Sequence, residues 1–104
     1  MITKEELLYA IHIQNKDIVT IAESELEEVH RIEGEEVLSH INLDALGGAF
    51  YAVIYELDDC FLAIACSPKE RLELFNDDKE QTKSFARRYL YQLIENAIVR
   101  DKYL

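Results

Sequence analysis

Glutamate and histidine side chains at helical spacing are the most chemically capable residues of this chain. Glu27 and His30 lie three residues apart, and Glu36 and His40 lie four apart, so each pair would share one side of a helix. Helical bundles present ligands to a di-metal centre through an E-x-x-H pair, but they need a second such pair and further inward carboxylates. The sequence has no second E-x-x-H. We therefore predict no metal site and no cofactor.

No other group of residues predicts catalysis. Ser39 and His40 are neighbours, and on a helix their side chains would point about 100° apart. Gly47-Gly48 lacks the spacing and the following basic residue of a phosphate-binding loop. Asp58-Asp59 falls between two apolar runs, where acidic pairs are typical of a turn. The sequence therefore favours a protein that is not an enzyme.

The most acidic stretch is ESELEEVHRIEGEE at residues 23–36, where seven of fourteen residues are acidic and Arg31 is the single base. As a helix it would be about 21 Å long, with about one net charge per 3.5 Å, close to the 3.4 Å charge spacing along a DNA strand. Such crowding destabilises a helix. The run is either a solubilising face or a surface that attracts a basic partner. The predicted partner-binding residues are Glu23, Glu27, Glu28, Glu33, Glu35, Glu36 and Tyr91.

The acidity of the chain is concentrated in its first two-thirds. The formal net charge is −10, and residues 1–67 hold 14 acidic against 3 basic residues, whereas residues 68–104 hold 7 against 8. Phosphate contacts require clustered Lys and Arg side chains, so direct binding to nucleic acid or to an anionic membrane is disfavoured. A protein with a basic surface is the favoured partner.

The length of 104 residues predicts one domain, 1–104. No apolar run is long enough to span a bilayer and no signal peptide is evident, so we expect a cytoplasmic protein. Cys60 and Cys66 flank an apolar run that resembles a strand, which would separate them by about 20 Å. That distance is too great for a disulfide, so both are expected to be small buried thiols.

The N-terminal half favours helices. Thr3 and Glu6 form a capping box that predicts a helix over residues 3–14, although alternating apolar residues also allow a hairpin with strands near residues 9–22. Apolar residues at intervals of three and four predict a further helix from Ile18 to Ile32. A short strand at 17–22 followed by a helix from Ser24 is the alternative. Helical spacing resumes after a break at Gly34.

The C-terminal half begins with the clearest β signal, a hairpin over residues 49–66. Ser67, Pro68 and Glu70 then match a helix start, which predicts a helix to about Phe75. A long apolar stripe predicts a C-terminal helix over about 79–101. The fold class is α+β: a hairpin packed against several helices. A winged helix-turn-helix is disfavoured because its recognition helix would carry the acidic run.

Two functions fit these patterns. The first is a non-enzymatic inhibitor whose acidic N-terminal surface occupies the basic, nucleic-acid-binding groove of a partner such as a nuclease. A phage anti-defence protein or a nuclease immunity protein would be of this type. The second is a small regulatory or scaffold subunit that binds, or forms a homodimer, through the C-terminal helix and Tyr91, with the acidity serving solubility.

Overall fold

The structure is a computed structural model that describes the backbone of residues 1–103 and the side chains of residues 1–100. The described residues form four helices and four strands, with a short 3₁₀ turn at Leu43–Leu46. The helices are α1 (Lys4–Gln14), α2 (Ile18–Glu25), α3 (Gly34–Val37) and α4 (Lys79–Tyr103). The strands are β1 (Glu27–Glu33), β2 (Tyr51–Glu56), β3 (Phe61–Cys66) and β4 (Arg71–Asn76).

The four strands form one antiparallel sheet in the order β1-β2-β3-β4, with β1 and β4 at its edges. Successive side chains of a strand point to opposite faces, so β2 and β3 supply apolar residues to both. Ile54 and Ala63 pack with Leu90 of α4 on one face. Ile64 packs with Leu7 of α1 and with neighbouring residues of α2 on the other. The α+β fold is therefore confirmed as three layers around a central sheet.

Several predicted elements are confirmed. The Thr3 hydroxyl accepts a hydrogen bond from the Glu6 N–H at 3.1 Å, and the Glu6 carboxylate accepts one from the Thr3 N–H at 3.0 Å, so the capping box begins α1. Helices α1 and α2 cover residues 9–22 apart from a short connection. The alternative prediction of strands near residues 9–22 is therefore wrong. The hairpin at 49–66 is present as β2 and β3. The long C-terminal helix is α4.

The helix predicted from Ile18 to Ile32 is wrong in its second half. Helix α2 ends at Glu25, and the chain continues as the edge strand β1, so a helix starting at Ser24 is also wrong. A β-bulge between Glu28 and His30 inserts Val29 as an extra residue. Both Val29 and Ile32 then pack on the α4 side of the sheet although they lie three residues apart. The bulge thus produces helical spacing in a strand.

The helix predicted from Ser67 to Phe75 is also wrong, because this segment forms a turn and β4. The Ser67 hydroxyl accepts a hydrogen bond from the Glu70 N–H at 3.0 Å, as a helix cap would. The Ser67 N–H also donates to the Glu70 carbonyl at 2.9 Å, and this bond closes a β-hairpin turn. Pro68 suits the second position of such a turn as well as the first position of a helix.

After Gly34, where helical spacing resumes in the sequence, the structure has only the single turn of α3 and the 3₁₀ turn. Gly34 is buried, and its N–H donates to the Phe50 carbonyl at 2.8 Å. The break expected at Gly34 is therefore the junction between β1 and α3. Among the described residues, no helix combines the length and the apolar character needed to cross a membrane.

Candidate functional site

The seven carboxylates of the acidic run do not share one face. They lie at the end of α2, along β1 and in α3. Glu27 begins β1 and Glu33 ends it, and six residues of strand separate them by about 20 Å. The structure therefore divides the predicted binding residues into two groups. Glu23, Glu27 and Glu28 lie around the start of β1, and Glu33, Glu35 and Glu36 lie at its end.

The group at the end of β1 is largely engaged by local contacts. The Arg31 Nε lies 2.6 Å from the Glu33 Oε1. The Glu36 carboxylate accepts a hydrogen bond from the Glu33 N–H at 2.6 Å, and the Arg87 guanidinium donates to the Glu36 carbonyl at 2.9 Å. Two arginines thus reduce the negative charge at this end, and only Glu35 stays without such a contact among the described residues.

The start of β1 belongs to a wider acidic surface. One row of residues crosses the four strands at this end. Glu27 pairs with Glu56, Glu56 with Phe61, and Phe61 with Asn76. This row of four residues, with strands about 4.8 Å apart, spans about 14 Å. The β2–β3 turn and the β4–α4 connection are at the same end of the sheet. We call this surface the acidic sheet end: Glu27, Glu28, Glu56, Asp58, Asp59, Asp77 and Asp78.

Some of these carboxylates have a clear structural role. Asp59 accepts a hydrogen bond from the Lys4 N–H at 3.0 Å and so holds the start of α1. Asp78 accepts one from the Gln81 N–H at 2.9 Å at the start of α4, where the helix dipole favours negative charge. Asp77 directly precedes Asp78 and so lies near the same helix dipole. These three acids are therefore explained in part by the fold.

The other four carboxylates of the acidic sheet end have no such role. Within the described side chains, no ion pair or side-chain hydrogen bond engages these residues, which are Glu27, Glu28, Glu56 and Asp58. The described part of the chain forms four ion pairs. Three of them lie towards the opposite end of the sheet: Arg31–Glu33, Arg71–Glu73 and Arg100–Glu70. Arginines therefore pair with carboxylates towards one end of the sheet. At the other end, the described Lys4 and Lys79 side chains form no ion pair with the acidic residues.

One buried tyrosine, Tyr55, lies beside this surface and responds to nearby negative charge. Tyr55 lies opposite Glu28 in the register and is 5% exposed. Burial raises the pKa of Tyr55 to about 12, and the negative charges of Glu23 and Glu28 add to the rise. At the other end of β2, a hydrogen bond to Cys66 and then partial burial raise the pKa of Tyr51. Glu23 and Glu28 thus act on one face of the sheet.

His30, which forms the E-x-x-H pair with Glu27 in the sequence, lies in β1. His30 lines a cavity of ≈ 310 Å³ together with Glu36, Lys83 and Arg87. The lining holds Glu80 as well, so two carboxylates and two cationic side chains share this cavity. No set of three or more His, Cys, Asp or Glu side chains in the described chain is arranged around a common metal position.

The two cysteines lie at opposite ends of β3. Both are free and partly buried rather than fully buried. Burial raises the pKa of Cys60 and of Cys66, so both thiols stay protonated at neutral pH. The prediction that they do not bridge each other is confirmed, and neither carries the character of a catalytic nucleophile.

Tyr91 lies apart from the acidic residues. It is 42% exposed on the outer side of α4, where Val99 is 54% exposed. Helix α4 starts at the acidic sheet end, and Tyr91 comes twelve residues later, about 18 Å along the axis. The structure therefore does not bring the two predicted binding surfaces together.

Sequence reasoning missed part of the acidic sheet end. Glu56, Asp58 and Asp77 come from segments that are distant in the chain from the acidic run. The pairing of two strands through Asp58-Asp59 was the available signal, because a hairpin turn and the start of a neighbouring antiparallel strand meet at one end of a sheet. Comparison of the chain with models of protein families, with curated proteins and with solved structures finds no match.

Proposed function

We propose that this protein is a non-enzymatic, acidic interaction protein whose acidic sheet end occupies a basic, nucleic-acid-binding groove of a partner protein. The observation that carries the proposal is the uneven pairing of charge across the sheet. Arginines engage the carboxylates of one end, and Glu27, Glu28, Glu56 and Asp58 stay unpaired among the described side chains at the other. A surface of one charge sign attracts a surface of the opposite sign.

The unpaired carboxylates oppose the stability of the fold. Glu27 and Glu56 lie directly opposite each other in neighbouring strands, and like charges in such positions are destabilising. A lysine at either position would have formed a cross-strand ion pair. Retaining two glutamates there is consistent with selection for binding rather than for stability.

The spacing of these charges suits a groove that binds nucleic acid. Glu27 and Glu56 lie on neighbouring strands about 5 Å apart, a spacing of the same order as the 3.4 Å axial spacing of phosphates along one DNA strand. The charged edge strand β1 also discourages the addition of another strand. The partner would therefore be held by side-chain charge, with fast association that weakens as salt rises.

A partner of this class is a nuclease or another nucleic-acid-binding enzyme. An anti-defence protein of a phage, or an immunity protein against a nuclease, would act in this way by blocking the groove. Neither role requires direct contact of this chain with nucleic acid. Neither requires a cofactor.

Affinity capture from lysate of the cells that encode the protein tests the proposal. We expect the wild-type protein to retain a nucleic-acid-binding protein at low salt and to release it at high salt or on addition of DNA. A variant in which three unpaired carboxylates are neutralised, Glu27→Gln, Glu56→Gln and Asp58→Asn, should not retain it. We call this the acidic-end variant. Equal retention by the variant, or capture that DNA does not reverse, would contradict the proposal.

The exposed side of α4 favours a second function, that of a scaffold or regulatory subunit. Tyr91 and Val99 expose 42% and 54% of their surface on this helix, and an exposed aromatic side chain is a frequent anchor of protein interfaces. In this case Tyr91→Ala would abolish capture or dimer formation, and the acidic-end variant would not. The same capture experiment therefore separates the two functions.

A further inference from the structure

An open groove lies between α1 and the end of α2. Its volume is ≈ 540 Å³. Three apolar and three acidic residues line it: Ile2, Tyr9, Ala10, Glu5, Glu6 and Glu25. We call it the α1 groove. Among the described side chains, Glu5 and Glu25 form no ion pair, so its rim is negative.

Helix α1 carries more apolar surface than the core uses. Leu7 is its only fully buried residue among those described. Six large apolar residues of the described chain are exposed, and four of them are in or next to α1: Met1, Leu8, Tyr9 and Ile13. Tyr9 and Ile13 are 66% and 60% exposed, and at four residues apart they share one side of the helix. The apolar surface of the groove therefore continues along α1 by one turn.

The α1 groove adjoins the acidic sheet end. The Asp58 N–H donates a hydrogen bond to the Ile2 carbonyl at 2.7 Å, which ties the start of the chain to the β2–β3 turn. Glu25 precedes Glu27 by two residues. An apolar groove with an acidic rim and an acidic surface thus form one continuous face.

We propose that the α1 groove binds an apolar or aromatic side chain from a Lys- and Arg-rich segment of the partner protein. The inference rests on the proposed function and identifies the kind of segment that is bound. Exposed ion pairs contribute little affinity, and binding energy concentrates at apolar and aromatic anchors. The acidic residues would attract the cationic side chains that flank the anchor, and Tyr9 could stack against one of them.

Two synthetic peptides of equal positive charge test this inference. Both are Lys- and Arg-rich and twelve residues long; one has a central Leu-Phe pair and the other has Ser-Ser at the same positions. Fluorescence anisotropy at low salt gives the Kd of each peptide. We expect the wild-type protein to bind the Leu-Phe peptide about tenfold more tightly, since burial of one such side chain contributes about that much.

Substitution in the groove should remove this preference. Because Tyr9 and Ile13 are exposed, Tyr9→Ser with Ile13→Ser should leave the fold intact, which circular dichroism checks. This variant should bind both peptides with the affinity of the Ser-Ser peptide. The matched control is His40→Ser, which removes an exposed ring side chain outside the groove and should keep the tenfold preference. NMR shifts of the wild-type amides should localise the Leu-Phe peptide at Ile2 and Ala10.

The outcomes separate the groove from the proposed function. Equal affinity of the wild-type protein for both peptides, with binding that salt weakens, would overturn the groove and support the acidic sheet end. A second outcome is that the protein prefers the Leu-Phe peptide and that the acidic-end variant binds this peptide as tightly as the wild-type protein does. This outcome would support the groove and overturn the proposed function. If neither peptide binds at low salt, both the groove and the proposed function would be overturned.

Discussion

Glu27 of β1 and Glu56 of β2 lie directly opposite each other in the strand register. No described cation forms an ion pair with either carboxylate. Two negative charges on neighbouring strands repel each other, and a positive charge at either position would be attractive. The fold alone does not explain this arrangement of charge.

Replacing one member of this pair should stabilise the protein. Glu27→Lys converts a like-charge pair into an ion pair, and we expect the free energy of unfolding to rise by about 0.2–1 kcal/mol. Urea denaturation followed by circular dichroism measures the change. Glu95→Lys, on the exposed side of α4, is the control for a simple reduction in net charge. A gain no larger than that of the control would mean that the two glutamates do not oppose each other.

The pKa of Tyr55 should report the charge of Glu23 and Glu28. Subtracting the ultraviolet titration of Tyr55→Phe from that of the wild-type protein isolates this residue, and we expect its ionisation at about pH 12. Glu23→Gln with Glu28→Gln removes two negative charges that disfavour the phenolate, so the pKa should fall. Glu35→Gln, at the other end of β1, should leave it unchanged. A pKa near 10 in the wild-type protein would contradict the burial of Tyr55.

The same shift predicts how stability depends on alkaline pH. The pKa of Tyr55 is higher in the folded state than in the unfolded chain. The contribution of Tyr55 to the free energy of unfolding is therefore complete below about pH 10 and is lost as pH rises towards 12. Urea denaturation between these two values should show a steeper loss of stability for the wild-type protein than for Tyr55→Phe. Equal slopes would exclude a contribution from this residue.

Gly34 should not tolerate a side chain. A Cβ atom at this position would lie 2.9 Å from the Phe50 Cβ and 3.0 Å from the Phe50 carbonyl oxygen. Gly34→Ala therefore forces the β1–α3 junction away from β2, and we expect it to lower the free energy of unfolding by about 1–3 kcal/mol. Ser39→Ala, at an exposed position nearby, should change it by less than about 0.5 kcal/mol. Similar effects of the two substitutions would show that the junction has room to relax.

The fold could be predicted where local signals and tertiary packing agree. The capping box of Thr3 and Glu6 and the apolar stripe of α4 specify helices, and both helices form. The aromatic and β-branched residues of 49–66 specify the central hairpin. In each of these cases the residue pattern is compatible with only one kind of secondary structure.

The sequence was ambiguous where one pattern satisfies two structures. Val29 and Ile32 are spaced as in a helix because a bulge puts both on one side of β1. The hydrogen bond from the Glu70 N–H to the Ser67 hydroxyl occurs in helix caps and also in this hairpin turn. Only the pairing of β1 with β2 and of β3 with β4 decides these cases, and that pairing depends on residues distant in the chain.

The candidate site could be predicted only in part for the same reason. Glu27 and Glu28 are evident from the acidic run. Their proximity to Glu56 and Asp58 follows from the register of antiparallel strands, and the separation of Glu33 from them follows from the length of β1. If residues 23–36 formed a helix, Glu33 would lie closer to Glu27 and Glu28 than it does in the extended strand β1.

Two variants of equal net charge measure the role of the acidic sheet end most directly. The first is the acidic-end variant, and the second neutralises three exposed carboxylates elsewhere, Glu35→Gln, Asp44→Asn and Glu95→Gln. Surface plasmon resonance against the partner identified by capture gives the association rate at several salt concentrations. We predict that the acidic-end variant loses the fast, salt-sensitive association and that the matched variant keeps most of it. Equal losses in both variants would show that only net charge matters and would contradict a binding role for this end of the sheet.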